Sequence, residues 1–320
     1  MARTVLSKKR KVPDRLYKYR AFDNRTLDQL VADQLFFADP RTFNDPLDTK
    51  PSLATDLDAD ALANILERLM EQRIVAEMKA AAKTIKYRGE KTLDHIARHS
   101  RRRVDQEIAE IRYHATNPDY EFEDPAKFLF GQYIEEELLR RYEKGIVSLA
   151  ERSDCPLLWS HYGDQHKGIC IGYSIPDRVD QDLYKIDYGG SRLIKASTVA
   201  AMLNGDKVAR RKVDQAVLSR KAADWRYERE WRLVGPRDIQ MSPLELEEVV
   251  FGMRCSSTVK FAIVKALSGR ARPVKFYEMR ERNGRFVLGR YALDTGELIA
   301  SFPRRSLDVF DDFQPLQDDV

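Results

Sequence analysis

The chain has 320 residues, 43% hydrophobic and 33% charged, with 55 Lys plus Arg against 51 Asp plus Glu and a formal net charge of +4. That length allows one large domain or two smaller ones, and the apolar fraction is enough for a real core. The mild positive charge is far from that of a dedicated nucleic-acid binder, although local basic clusters leave a local anionic partner open.

The Lys8–Lys11 run is basic, but no apolar stretch follows it, so it reads as a solvated tail rather than a secretory signal. No window approaches the roughly 18 apolar residues of a membrane-spanning helix. Cys155, Cys170 and Cys255 lack paired spacing, which argues against a disulfide framework and for a reducing, cytoplasmic setting.

Leu16–Arg20 alternates and is aromatic, as a short strand should be. Thr26 caps a helix through Gln34, with Leu27, Leu30 and Val31 on one face. Leu35–Ala38 reads as a buried strand stopped by Asp39-Pro40, and Phe43–Pro46 as a turn. From about 56 to 144 the signal is helical. Leu62, Ile65, Leu66, Leu69 and Met70 form one apolar stripe. A second helix after Gly89 carries Ile96, Val104, Ile108 and Ile111, interrupted by the Arg101–Arg103 band, and a third runs from Phe128 to Tyr142.

Strand signals then return at Ile146–Leu149, Gly168–Tyr173 and Leu183–Tyr188. Residues 194–222 look helical. Further strands are expected at Glu230–Val234, Val249–Gly252, Val274–Met279, Arg285–Tyr291 and Glu297–Phe302, with a helix capped by Ser257 through Leu267. The pattern predicts an α+β protein: one domain with a mixed or antiparallel central sheet and a helical insertion at about 56–144.

Three stretches carry candidate chemistry. In Trp225–Arg232, read as a strand, Glu228, Glu230 and Arg232 share one face and Tyr227, Arg229, Trp231 and Leu233 the other. The two carboxylates then lie roughly 6–7 Å apart, a separation suited to two jobs on one substrate. In Trp159–Gly168, His161 can orient a substrate near neutral pH, beside Tyr162 and Lys167. Asn44 or Asp45 of the Phe43–Pro46 turn would rim a polar cleft. Cys155, His161, His166 and Cys170 match no closed zinc spacing, and no metal site is assigned. Phosphate-cradling glycine loops, a GxGxxG fingerprint and a GxSxG elbow do not occur.

Tyr17–Tyr19, the FNDP turn, Trp159–Gly168 (WSHY-x4-HKG) and Trp225–Arg232 (W-x-x-E-x-E-W-R) together resemble a bacterial family catalogued as domain of unknown function 2971. Glu248–Arg254 looks like a later strand of that family. At the level of fold, the chain is similar to ADP-ribosyltransferases, in which a polar residue on the first strand faces the nicotinamide of NAD and a glutamate stands on a late strand. The Ser-Thr-Ser strand of that pattern has no counterpart in the sequence. The resemblance implies an ADP-ribosyltransferase-like sheet and an NAD-consuming transferase or glycohydrolase, in a toxin or phage-defence setting, with a nucleic acid or protein as acceptor. Glu230 would stabilise the charged ribose, Glu228 would orient or deprotonate the acceptor, Tyr162 or Tyr19 would stack on nicotinamide, and Arg20, Lys167 or Arg232 would hold the pyrophosphate. The alternatives are a nucleic-acid-binding protein or a nuclease holding Mg²⁺ on Asp45, Glu228 and Glu230, or a non-catalytic effector acting through its helices.

Overall fold

The computed structural model describes residues 12–84, 92–141 and 144–304; the Lys8–Lys11 run, Gly89 and Tyr142 lie outside them. Among the described residues, eight strands form the main sheet. In chain order they are β1 (Arg15–Arg20), β2 (Gly145–Ala150), β3 (Ile169–Ser174), β4 (Leu183–Lys185), β5 (Glu230–Gly235), β6 (Glu245–Phe251), β7 (Lys275–Arg282) and β8 (Arg285–Ala292). Side by side they lie as β8-β7-β6-β3-β1-β2-β5-β4. β6 and β7 run parallel, and the other neighbouring pairs are antiparallel. The molecule is therefore mixed α+β, as the strand and helix signals predict.

Pairing within this sheet is uneven. β1 is bonded to β3 along its whole length, from Arg15 opposite Ser174 to Arg20 opposite Ile169. β2 is bonded equally fully to β5, from Glu230 opposite Ala150 to Gly235 opposite Gly145. Between β1 and β2 only Tyr17 opposite Ala150 is in register. The sheet thus opens along one seam, and backbone groups that would be paired elsewhere face a gap.

The period-two pattern sorts the side chains. Leu16, Val147, Leu149, Ile171, Trp231, Leu233 and Phe251 point to one face and form the principal core. Ile263, Val264 and Leu267 of a helix at Ser257–Leu267 join them, and each such burial contributes about 1.5–3 kcal/mol. The opposite face carries Tyr19, Ala150, Cys170 and Val250, covered by Trp159 and Leu158.

A second core belongs to the helices. Long helices at Ala59–Thr84, Thr92–His114 and Pro125–Arg141 pack through Leu62, Leu66, Ile108, Phe130 and Ile134. Val199 and Val213, from helices at Ala196–Leu203 and Lys207–Leu218, fill the same core. The helical layer thus draws on residues beyond 56–144, and a short strand at Ser52–Ala54 pairs with Leu193–Lys195 beside it. The band Arg101–Arg103 is exposed.

Three local expectations are corrected. Residues 194–222 are two helices broken at Gly205 (φ +91), where Asp206 caps the second; the chain then forms a short strand, Arg220–Lys221. Glu297–Phe302 is not a strand: the Asp294 side chain accepts from Glu297 N at 2.9 Å and caps a helix at Thr295–Ala300. Gln34–Phe37 pairs with Asp238–Met241 in a separate ribbon, and only Ala38 bridges to Ile146 of the main sheet.

The histidine segment is a one-turn helix, Pro156–His161, followed by three consecutive left-handed residues, Asp164, Gln165 and His166. Tight backbone contacts clamp that turn. A Cβ on Gly168 would lie 2.2 Å from the Arg20 carbonyl oxygen, and one on Gly252 would lie 2.1 Å from that of His166. Much of the WSHY-x4-HKG pattern is therefore spent on backbone packing. Gly168→Ala and Gly252→Ala are each expected to lose about 2–3 kcal/mol in urea unfolding; wild-type midpoints would show that the turn is not clamped.

Candidate functional site

The seam between β1 and β2 opens into a cleft of about 440 Å³. β1 contributes Tyr17, Lys18 and Tyr19, and β2 contributes Ser148, Leu149 and Ala150. The FNDP turn brings Phe43 and Asn44, the histidine helix brings His161 and Tyr162, and Asp48, Lys221, Glu228 and Glu230 line the cleft beneath.

A buried ion network holds this lower part together. Lys221 Nζ donates to Glu228 Oε2 at 2.5 Å and to Glu230 Oε2 at 2.9 Å, and lies 3.5 Å from Asp48 Oδ2. Arg232, fully buried, donates from Nε to Glu230 Oε1 at 2.9 Å and from Nη2 to both Asp48 oxygens at 2.7 Å. Its Nη1 bonds the Leu218 carbonyl at 3.0 Å. Three carboxylates thus surround two cations, so the network is one negative charge in excess when fully ionised.

Burial opposes ionisation of Glu230, but Arg232 and Lys221 override it and hold the carboxyl at about 2. Glu228 goes the other way. Burial raises its pKa, Lys221 lowers it and the neighbouring Glu230 raises it again, leaving it above the ordinary glutamate range. Of the two glutamates, Glu228 is thus the more readily protonated. The Tyr162 hydroxyl, itself raised by burial and by Glu228, donates to Glu228 Oε1 at 2.9 Å.

The stretch 225–232 is not one strand. Ala223–Glu228 is a 3-10 turn, Arg229 is left-handed (φ 46, ψ 50), and the strand begins at Glu230. Glu228, Glu230 and Arg232 still converge, because the two glutamates share Lys221 and because Arg232 lies two residues along β5 from Glu230. Tyr227 and Arg229 do not join Trp231 and Leu233: the latter two are in the core, Tyr227 packs near Tyr19, and Arg229 is exposed.

Other expected residues divide between the cleft and its surroundings. Tyr19 lines the cleft, with its hydroxyl donating to the Arg152 carbonyl at 2.9 Å. His161, Tyr162 and Asn44 are at the mouth, where His161 faces Trp225 and Tyr227 with ring centroids 6.5 Å away in each case. Arg20, at the end of β1, turns to Gln29 of the following helix and lies outside the cleft. Lys167 is exposed beyond the left-handed turn. Asp45 bonds Leu47 N and Trp225 Nε1, both at 2.9 Å, and Asp48 rather than Asp45 joins the glutamates.

Three charged lining residues escaped the sequence reading: Lys18, Asp48 and Lys221. Lys18 stands between the two tyrosines of the YKY motif, and the open seam admits its Nζ to 3.4 Å from the Ser148 carbonyl. Burial and Arg20 depress its pKa to about 7, against the pull of Glu230.

These shifts give stability predictions with defined signs. The depressed Glu230 contributes stability that is complete above about pH 4.5 and lost as pH falls toward about 2. Glu230→Gln should therefore flatten the acid limb and cost about 3 kcal/mol at neutral pH, because it leaves Arg232 and Lys221 underpaired. Glu228→Gln, which removes the excess charge, should stay within about 1 kcal/mol of wild type; equal losses in chemical denaturation would contradict the assignment. Lys18 has the opposite pH dependence. With a folded value of about 7 below its ordinary 10.5, its burial cost is complete below pH 7 and fades as pH rises toward 10.5. Lys18→Met should raise Tm at pH 6 and lose that gain by pH 10; a pH-independent gain would contradict this.

No curated protein and no solved structure matches the chain. Residues 158–233 match the model of a family described as Protein of unknown function (DUF2971). That span runs from the histidine helix through Lys221 and Glu228 to Arg232, and so supplies the mouth and most of the ion network. The matched family is the one that the FNDP, WSHY and W-x-x-E-x-E-W-R motifs resemble, and the match covers this segment of the chain.

Proposed function

We propose that the seam is an NAD-consuming site of the ADP-ribosyltransferase type, acting as a transferase or glycohydrolase. One observation carries the reading: the first strand and the glutamate at the start of β5, more than two hundred residues apart, face a common cleft because the sheet is unpaired between β1 and β2. The resemblance in sequence calls for that juxtaposition, and the cleft volume of about 440 Å³ falls within the usual span of small-molecule sites.

In this reading the nicotinamide–ribose C–N bond breaks and its electron pair leaves with nicotinamide. Positive charge builds on the ribose, and the fixed, ionised Glu230 carboxylate stabilises it. Water or another acceptor then bonds to the ribose carbon. Glu228, whose pKa burial and Glu230 raise, is the more basic of the two carboxylates and takes the acceptor's proton. Tyr17, Tyr19 and Tyr162 offer flat faces for the nicotinamide ring. Arg20 and Lys167, being outside the cleft, have no part in the proposal.

The test is direct. Purified protein incubated with NAD, alone and with candidate acceptors, should release nicotinamide. Glu230→Gln, checked for folding by circular dichroism, should slow release by about 10²–10³-fold. Release unaffected by that substitution, or absent with water, nucleic-acid and protein acceptors alike, would overturn the reading.

A further inference from the structure

Beside the seam, past the Glu228–Glu230 segment, lies a second hollow of about 630 Å³ with a different character. Four cations line it: Arg152, Lys185, Arg226 and Arg229. Arg152 pairs with Asp154 at 2.6 Å and Lys185 with Glu151 at 2.7 Å. Arg226 uses one nitrogen on the Tyr188 carbonyl at 3.3 Å, and neither Arg226 nor Arg229 pairs with a carboxylate among the described residues. Both guanidinium groups are exposed, and of the two Arg229 is near enough to a carboxylate, Glu151, to help lower its pKa.

Two half-buried tyrosines, Tyr188 and Tyr227, also line it, together with Ile186 and one carboxylate, Glu151, which is engaged by Lys185 and Trp231. Both belong to the segment that carries the glutamates: the Tyr188 hydroxyl accepts from Glu230 N at 2.6 Å, and Tyr227 directly precedes Glu228. Arg229 is not a loose surface arginine. Its backbone is left-handed, a conformation that costs a non-glycine residue about 1 kcal/mol or more, and its carbonyl accepts from Glu151 N at the end of β2 at 3.3 Å. That turn places Arg229 with the two tyrosines on the lining of the hollow.

Unpaired guanidinium groups interleaved with aromatic rings form the combination that binds single strands: the cations take phosphates and the rings stack on bases. An acidic peptide would use the charges but leave the rings idle. We propose that this hollow binds single-stranded nucleic acid and, resting on the NAD-consuming reading of the seam, leads the acceptor nucleotide past Tyr227 to Glu228.

Fluorescence anisotropy with a labelled single-stranded RNA and its DNA equivalent, over a salt series, tests the binding. The double variant Arg226→Gln/Arg229→Gln should weaken binding at least tenfold and lower the slope of log K against log salt by about 1–1.5, as expected for two lost phosphate contacts on a single strand. In wild-type protein the oligonucleotide should also protect Lys185 from acetylation, a readout that does not depend on any variant folding. Unchanged affinity and slope in the folded double variant, an unprotected Lys185, or equal competition by poly-glutamate would each overturn the proposal. The two readings fail separately. Strand binding without nicotinamide release sinks the NAD reading and keeps the hollow; nicotinamide release that does not need Arg226 and Arg229, without strand binding, does the reverse.

Discussion

Arg232 and Lys221, buried among Asp48, Glu228 and Glu230, are the interaction on which the rest of the structure depends. Taking five charges out of water is expensive, and the arrangement persists because almost every oxygen is bonded and the cations nearly balance the acids. It also joins the two cores. Asp48 leads into the strand at Ser52–Ala54 beside the helical layer, Lys221 follows the helix Lys207–Leu218, and Arg232 is on the central sheet. The network leaves Glu230 ionised and Glu228 the more readily protonated of the pair within one cleft.

The seam is the second constraint. β1 is fully paired along its β3 edge and β2 along its β5 edge, so each half of the sheet is held independently of the edges that face each other across the seam. A single register pair, Tyr17 with Ala150, holds the two halves together and leaves room beside it for Lys18 and the tyrosines. The side chains at the opening come from elements that alternate around it: the FNDP turn, the histidine helix and the turn before β5. The same turn that orients Glu228 into the seam carries Arg226 and Arg229 outward, which is why a basic, aromatic hollow adjoins an acidic one.

Much of this architecture was legible in the sequence. Period-two runs at Leu16–Arg20, Ile146–Leu149 and Glu230–Val234 became central strands, and the apolar stripe from Leu62 to Met70 became a buried helix face. The convergence of His161, Tyr162, Asn44, Glu228 and Glu230 could be expected from the motifs as a set. What stayed hidden depends on contacts between distant segments. Asp48 and Lys221 carry no local signal, because each acquires its role only when Arg232 and the glutamates arrive beside it. Lys18 was in view within the YKY motif but passed over, since only the unpaired seam gives its side chain a route into the cleft. The segment around Arg229 misled because a single left-handed residue converts an apparent strand into a turn, and Glu297–Phe302 misled because a short, mostly apolar segment is decided by its cap, Asp294, rather than by its period.

The central claim is that the open seam receives the nicotinamide ribose of a dinucleotide against Glu230. A crystal structure with a non-hydrolysable NAD analogue tests it most directly. The account predicts the nicotinamide end between β1 and β2, with a Glu230 oxygen within about 2.6–3.2 Å of a ribose hydroxyl and Arg232 still bonded to Asp48. A dinucleotide bound elsewhere on the molecule, with Glu230 still enclosed by Lys221 and Arg232 and the seam empty, would contradict it.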